Sequence, residues 1–177
     1  MIAVYSLAFC RWVVGIIFFW ALVGKLQDIP AFADTIRRFK LLPGWLVRPA
    51  ALICLGSEAL VVLGMLVGGA FLLWGFSLAT IMLTIFGVAL ASVLVRHIRT
   101  SCNCFGPSKK IVTSYEILRD ALFILCALSG AYLSFAALSA STSAVWWVWV
   151  FAGAAAMVFV ILVLQLKEIL WVFRVLQ

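Results

Sequence analysis

The sequence predicts an all-α integral membrane protein, a small bundle of about five transmembrane helices. Of its 177 residues, 67% are hydrophobic and only 11% are charged. The apolar residues are gathered into five long runs, each of the length that crosses a bilayer. No polar segment between these runs is long enough to build a second core, so residues 1–177 are expected to form a single transmembrane domain.

The predicted spans are separated by short polar or glycine-containing breaks. They cover residues 3–24, 47–67, 70–95, 115–138 and 145–166. The first span lacks a basic n-region and a cleavage site, so it is not expected to be a cleaved signal peptide. Between the first two spans, residues 31–39 have the pattern of a short interfacial helix. Trp146, Trp147 and Trp149 open the fifth span as an interfacial belt.

The distribution of basic residues predicts the orientation of the bundle. The breaks 25–48 and 96–119 each hold five Lys or Arg residues, and the breaks on the opposite side hold none. The positive-inside rule therefore places the N-terminus outside and both basic breaks on the cytoplasmic side of a bacterial inner membrane. The net charge of +7 is explained by this topology, and the lipid bilayer rather than nucleic acid is the expected partner.

The polar loop at 96–114 contains the most reactive candidates, Cys102 and Cys104. Four cations lie close to them in the sequence and favour the thiolate form: Arg96, Arg99, Lys109 and Lys110. A disulfide across one intervening residue is strained and easily reduced, which suits exchange better than structure. Two alternatives remain open, a soft-metal site that lacks a visible second ligand pair and a pair of unreactive thiols.

Arg11 and Glu58 lie inside apolar spans, where an ionisable group indicates a functional site or a buried pair. Counting residues from the span ends places both within about one helical turn of the midplane. We therefore predict that Arg11 and Glu58 pair with each other, in a structural or a functional role. Cys10, Cys54 and Cys126 also lie in the spans and are interpreted as small apolar residues.

Span three carries small and hydroxyl side chains at helical spacing. They are Ser77, Thr80, Thr84, Gly87 and Ala91. This stripe favours a close helix contact, with a cleft for a quinone cofactor as the alternative.

The segment Cys102-Asn103-Cys104-Phe105-Gly106 stands between spans three and four, and Arg11, Lys25 and Glu58 accompany it in the first two spans. With these residues the chain resembles the methylamine-utilisation MauE family, part of the wider DoxX-like group of redox-associated membrane proteins with a four-helix core. The resemblance covers most of the chain, although Asn103 stands where Gly is expected in many relatives.

The resemblance implies a role in maturing the beta (small) subunit of methylamine dehydrogenase, a periplasmic enzyme, together with a thioredoxin-like partner, MauD. Cys102 and Cys104 would then exchange electrons as a thiol–disulfide oxidoreductase component. A cytoplasmic loop fits poorly with a periplasmic target. A non-catalytic scaffold or transport component and soft-metal delivery therefore remain open as alternatives. One His and six acidic residues offer no hydrolase or kinase arrangement.

Overall fold

A computed structural model describes residues 2–38, 43–96, 114–137 and 146–165. All of the regular secondary structure in these ranges is helical, and short turns join some of the helices. The helices are α1 (Ile2–Leu26), α2 (Ile29–Arg38), α3 (Val47–Val67), α4 (Phe71–Val95), α5 (Ser114–Ala137) and α6 (Trp146–Leu164), and a 3-10 turn at Gly44–Leu46 precedes α3. Five of the helices are long and apolar enough to cross a membrane. The predicted all-α membrane bundle of about five spans is therefore confirmed.

The surface of the bundle is apolar, as expected of helices that face lipid. Large hydrophobic side chains stand outward along every long helix, among them Trp20, Leu60, Trp74, Leu125 and Phe151. A contiguous apolar surface of this extent would make a water-soluble monomer associate or aggregate. With 19 to 25 residues, the long helices measure about 28–38 Å, which matches the hydrocarbon thickness of about 30 Å. The chain is a multi-pass membrane protein.

Helix α1 occupies the centre of the bundle. It packs against α3, α5 and α6, while α4 completes the bundle by packing against α3 and α5. The buried core includes Val13 and Val14 of α1, Val61 of α3, Phe76 of α4 and Phe123 of α5. Since lipid is as apolar as these side chains, their close packing, more than the hydrophobic effect, stabilises the bundle.

The short helix α2 lies outside the membrane-spanning set and packs against α3. Asp28 caps it, because its Oδ1 accepts a hydrogen bond of 2.9 Å from the backbone N–H of Ala31. Phe32 and Thr35 are buried on one face, and Arg37 is exposed on the other. The predicted amphipathic helix in this break is therefore present, and its buried face brings Phe32 against the end of α1.

Candidate functional site

A buried ion pair joins α1 to α3. Lys25 lies in the last turn of α1, and its Nζ donates a hydrogen bond to Oε1 of Glu58, near the middle of α3. Helical side chains lean towards the N-terminus of their helix, so Lys25 points back into the bundle instead of beyond its end. Lys25 is 2% exposed and Glu58 is 1% exposed. Both charges are thus removed from water and lipid, and each depends on the other for compensation.

Two aromatic rings enclose the ammonium group of Lys25. Its Nζ lies 5.0 Å from the ring centroid of Phe32 on α2 and 4.7 Å from that of Phe86 on α4. These distances fall within the range of cation–π attraction. The Lys25 site is therefore built by four helices, and the interfacial helix α2 contributes one wall of it.

A thiol contacts the same carboxylate. The Sγ atom of Cys54, one turn before Glu58 on α3, donates a weak hydrogen bond of 3.8 Å to Glu58 Oε1. The second oxygen, Oε2, is buried and has no hydrogen-bond partner among the residues described. Glu58 therefore lies where it can accept the proton of Cys54. The sequence placed Cys54 one helical turn before Glu58, but it was interpreted as a small apolar residue like Cys10 and Cys126. The contact with Glu58 distinguishes it from those two cysteines.

Helix α5 adds a second carboxylate to this region. Asp120, next to Arg119, lines a cavity of about 30 Å³ that Lys25 and Glu58 also line. Its Oδ2 is buried and, within the described ranges, has no hydrogen-bond partner. The same Asp120 oxygen lies against Gly87 of α4, only 2.6 Å from the position that a Cβ atom would occupy at that glycine. A cavity of this size can hold one water molecule between the two carboxylates.

The predicted pairing of Arg11 with Glu58 is wrong. Arg11 Nε donates a hydrogen bond of 2.6 Å to the carbonyl of Met65, and Nη2 donates one of 3.0 Å to that of Leu66. The guanidinium also lies 4.7 Å from the ring centroid of Trp149. Arg11 thus caps the last turn of α3, where helices leave carbonyls unpaired and carry partial negative charge.

The physical reason for this error is helix register. The depth estimate placed both residues near the midplane, but the antiparallel packing of α1 and α3 puts Arg11 beside the end of α3, two turns beyond Glu58. Lys25, which the hydropathy pattern assigned to the polar break, reaches Glu58 instead. The position of Lys25 in the last turn of a long apolar helix was the sequence feature that could have indicated it.

The turn after α3 is shaped around the Arg11 guanidinium. Gly68 has φ +78 and ψ −158, a backbone conformation that is essentially restricted to glycine. A Cβ atom at this position would lie 3.1 Å from two nitrogen atoms of Arg11. Gly68 therefore provides both the backbone conformation of the turn and the room for the arginine.

The hydroxyl stripe of α4 is satisfied within its own helix. Ser77, Thr80 and Thr84 donate hydrogen bonds to the carbonyls of Leu73, Phe76 and Thr80, at 2.8, 2.9 and 2.7 Å. These hydroxyl protons are therefore committed to the backbone, which gives no support to a quinone cleft at this stripe.

Cys102 and Cys104 lie outside the described residues, so their predicted role stays a prediction. The segment 97–113 that contains them joins the end of α4 to the start of α5. Asp120 of α5 and Leu90 of α4, close to these two helix ends, both line the cavity beside Lys25 and Glu58. The CxC segment therefore connects at the end of the bundle that holds the charged site. In the described part of the chain, no group of three or more His, Cys, Asp or Glu side chains is placed to hold a metal ion.

The fold and this site define a multi-pass helical membrane protein with a buried ion pair and a neighbouring thiol. The chain belongs to the methylamine utilisation protein MauE family, whose sequence profile matches residues 3–133. The matched range includes Lys25, Cys54, Glu58, Asp120 and the CxC segment, and the family resemblance predicted from the sequence is confirmed. No curated protein and no solved structure matches the chain. Family membership makes the protein a membrane-associated accessory protein of methylamine utilisation.

Proposed function

We propose that the protein is a thiol–disulfide exchange component of the bacterial inner membrane that assists maturation of the methylamine dehydrogenase beta subunit. A thioredoxin-like protein of the MauD type is its proposed redox partner. The observation that supports this function best is the contact between the Cys54 thiol and the Glu58 carboxylate beside Lys25. It places a thiol next to a proton acceptor at the end of the bundle where the CxC segment is attached.

The proposed chemistry begins at Cys102 and Cys104. One thiolate attacks a disulfide of the partner and forms a mixed disulfide, and the second thiolate then displaces the partner's remaining sulfur. The partner gains two electrons and two protons as a dithiol, and Cys102 and Cys104 become a disulfide. The reverse sequence would oxidise the partner instead. Both directions depend on a thiolate, which the cations flanking the CxC pair favour.

Cys54 and Glu58 would extend this exchange into the bundle. Glu58 Oε1, which the Cys54 thiol contacts, can accept the Cys54 proton when the sulfur becomes a thiolate. The buried Lys25 ammonium then compensates the negative charge, which has moved from the carboxylate to the thiolate. In this proposal the Cys54 thiolate attacks the disulfide between Cys102 and Cys104. This attack gives a mixed disulfide between Cys54 and one of the two cysteines and releases the other as a thiolate.

The orientation of the bundle is part of the proposal. By the positive-inside rule, the N-terminus lies outside and the CxC segment lies in the cytoplasm. The family's periplasmic target then requires that electrons reach the other side of the membrane. Labelling Cys102 and Cys104 with a membrane-impermeant thiol reagent tests this orientation, in intact cells and in inverted vesicles. Labelling in intact cells would place the pair outside and contradict it.

A double variant, Cys102→Ser with Cys104→Ser, tests the function itself. It should abolish the formation of active methylamine dehydrogenase in cells, and the variant protein should still be present in the membrane fraction. Ser101→Ala in the same segment is the matched control and should leave maturation unchanged. Cells that mature the dehydrogenase normally with the double variant would refute the proposed thiol exchange.

The buried ion pair supports a second candidate, a non-catalytic membrane scaffold or transport component. The Lys25–Glu58 pair holds α1 to α3 whatever the protein does, since either charge would be stranded without the other. A scaffold would keep its function when Cys54, Cys102 and Cys104 are all replaced by Ser, but would lose it with Lys25→Met. The thiol-exchange component would lose its function in both cases.

A further inference from the structure

Two further cysteines line one groove in another part of the bundle. Cys10 of α1 and Cys126 of α5 both face an open groove of about 980 Å³ between α1, α5 and α6. We call it the thiol groove and define it by Tyr5, Cys10, Cys126, Tyr132, Phe151 and Phe159. Cys10 is buried, Cys126 is partly buried, and both belong to one packing cluster.

The register of α1 and α5 places these thiols at the same depth. The two helices are antiparallel, because the end of α1 and the start of α5 share the Lys25 cavity, whereas Tyr5 and Tyr132 share the thiol groove. One turn from the cysteines towards the tyrosines, Ser6 and Ser129 line the groove as well. The antiparallel register therefore brings Cys10 and Cys126 to a similar depth on two packed helices, where both line the same groove.

The thiol groove is reached from the lipid rather than from water. Tyr132 and Phe151 at its rim are 74% and 66% exposed on a surface that faces the bilayer. The groove wall is mainly apolar, and the rings of Phe9 and Phe159 pack edge to face in it, 5.5 Å between centroids. A molecule that reacts with these thiols must therefore be lipid-soluble, and the groove has the volume of a small-molecule site.

We propose that Cys10 and Cys126 form an intramembrane dithiol that a quinone, bound in the thiol groove, oxidises to a disulfide. The two thiols lose two electrons and two protons as the S–S bond forms. The quinone accepts these two electrons and two protons and leaves as quinol. The phenol groups of Tyr5 and Tyr132 would donate hydrogen bonds to the quinone carbonyls, and the aromatic wall would contact its ring. This activity goes beyond the proposed function, because it requires neither Cys102 nor Cys104.

The test uses the full chain with Cys54, Cys102 and Cys104 replaced by Ser, purified in lipid nanodiscs, reduced and kept anaerobic. Adding decylubiquinone should produce one quinol per protein and a Cys10–Cys126 disulfide, measured by absorbance and by mass spectrometry of proteolytic peptides. Adding Cys10→Ser to this background should abolish both. The wild-type chain, mapped in the same way, should contain the same disulfide, so the result does not depend on the folding of the triple variant.

A second variant separates the quinone from the thiol pair. Ala155 lines the thiol groove from α6 and is exposed, so Ala155→Trp should fill the groove without disturbing the core. Quinone-driven oxidation should then be slower by about tenfold or more, while diamide, a small thiol oxidant, should still form the disulfide. Leu128→Trp provides the same test from α5.

Each contrary result overturns a defined part of the proposal. If diamide fails to link Cys10 to Cys126 in the unfilled protein, the dithiol is refuted. If diamide links them but decylubiquinone does not, the quinone site is refuted. Oxidation that Ala155→Trp and Leu128→Trp leave unchanged would place the quinone elsewhere. None of these outcomes depends on dehydrogenase maturation, so they are distinct from a failure of the CxC proposal.

Discussion

Removing the Lys25 charge should be one of the most destabilising single changes in the bundle. Lys25→Met keeps the length of the side chain but leaves the Glu58 carboxylate without its cation, at 1% exposure. Breaking a buried pair from one side costs about 3–5 kcal/mol, and the lost contacts with the rings of Phe32 and Phe86 act in the same direction. For a chain of this size, that cost lowers the Tm by about 6–20 °C.

The assay is a double-mutant cycle that adds Glu58→Met. The two single changes would together cost about 6–10 kcal/mol if they were independent, whereas the double change should cost about 0–2 kcal/mol because no charge is left stranded. Unfolding is followed in mixed micelles by circular dichroism. The control is Arg37→Met, which breaks the exposed Arg37–Asp34 pair at 3.8 Å and should cost less than about 0.5 kcal/mol.

Two results would refute this reasoning. If Lys25→Met costs no more than Arg37→Met, the pair is not buried as described. If the costs of Lys25→Met and Glu58→Met simply add in the double variant, the two side chains do not interact. Acidification should also reduce the penalty of Lys25→Met, because a protonated Glu58 no longer carries an unpaired charge.

Three further substitutions test the helix ends and contacts. Gly68→Ala should destabilise the bundle by about 1–3 kcal/mol, through backbone strain and through the contact of the new Cβ atom with the Arg11 guanidinium. This loss should exceed that of Gly69→Ala, whose Cβ atom would meet no atom within 4 Å. Equal unfolding free energies of the two variants would contradict the Arg11 contact. Gly130→Ala should lower the free energy of unfolding by about 1–3 kcal/mol, because the new Cβ atom would lie 2.3 Å from the packed ring of Phe76. Gly56→Ala is the control, because its Cβ atom would face open space, and it should be neutral or stabilising in the same unfolding assay. Arg11→Lys should destabilise the bundle by about 1–2 kcal/mol although it keeps the charge, because lysine cannot replace both hydrogen bonds to the carbonyls of α3. A variant as stable as the wild type would show that only the charge of Arg11 matters.

Hydropathy was sufficient to predict where the helices lie, because each span is a continuous apolar run. The predicted span 47–67 coincides with α3, and the predicted spans 3–24 and 70–95 end within two residues of the ends of α1 and α4. The predicted ends at 138, 145 and 166 lie outside the described residues. The pairing of charges was not predictable in this way. It depends on the rotation and stagger of α1 against α3, which residue counts along one helix do not contain. For this reason Lys25 takes the place beside Glu58 that was expected of Arg11, and Arg11 contacts the end of α3 instead.

The candidate site shows the same limit. Glu58 was identified because a carboxylate is costly inside a membrane, and this reasoning needs only one helix. Asp120 was missed although the predicted span 115–138 contains it, because it lies near the start of that span, directly after the five basic residues of the break 96–119. The relation of Cys10 to Cys126 joins residues more than a hundred positions apart, and only the packing of α1 on α5 brings them to one groove.

The two thiol sites cannot exchange a disulfide directly. Cys54 lies beside the carboxylate that Lys25 reaches, and Lys25 and Cys10 are fifteen residues apart on one helix, about 22 Å along its axis. A disulfide requires Cα atoms within about 7 Å, and the core residues Val14 and Ile17 lie between the two levels. If both proposals hold, the charged site serves the end of the bundle that carries the CxC segment, and the thiol groove serves the opposite half. A lipid-soluble carrier would then connect the two sides of the membrane, and the proposed cytoplasmic position of the CxC segment would be compatible with the proposed periplasmic target.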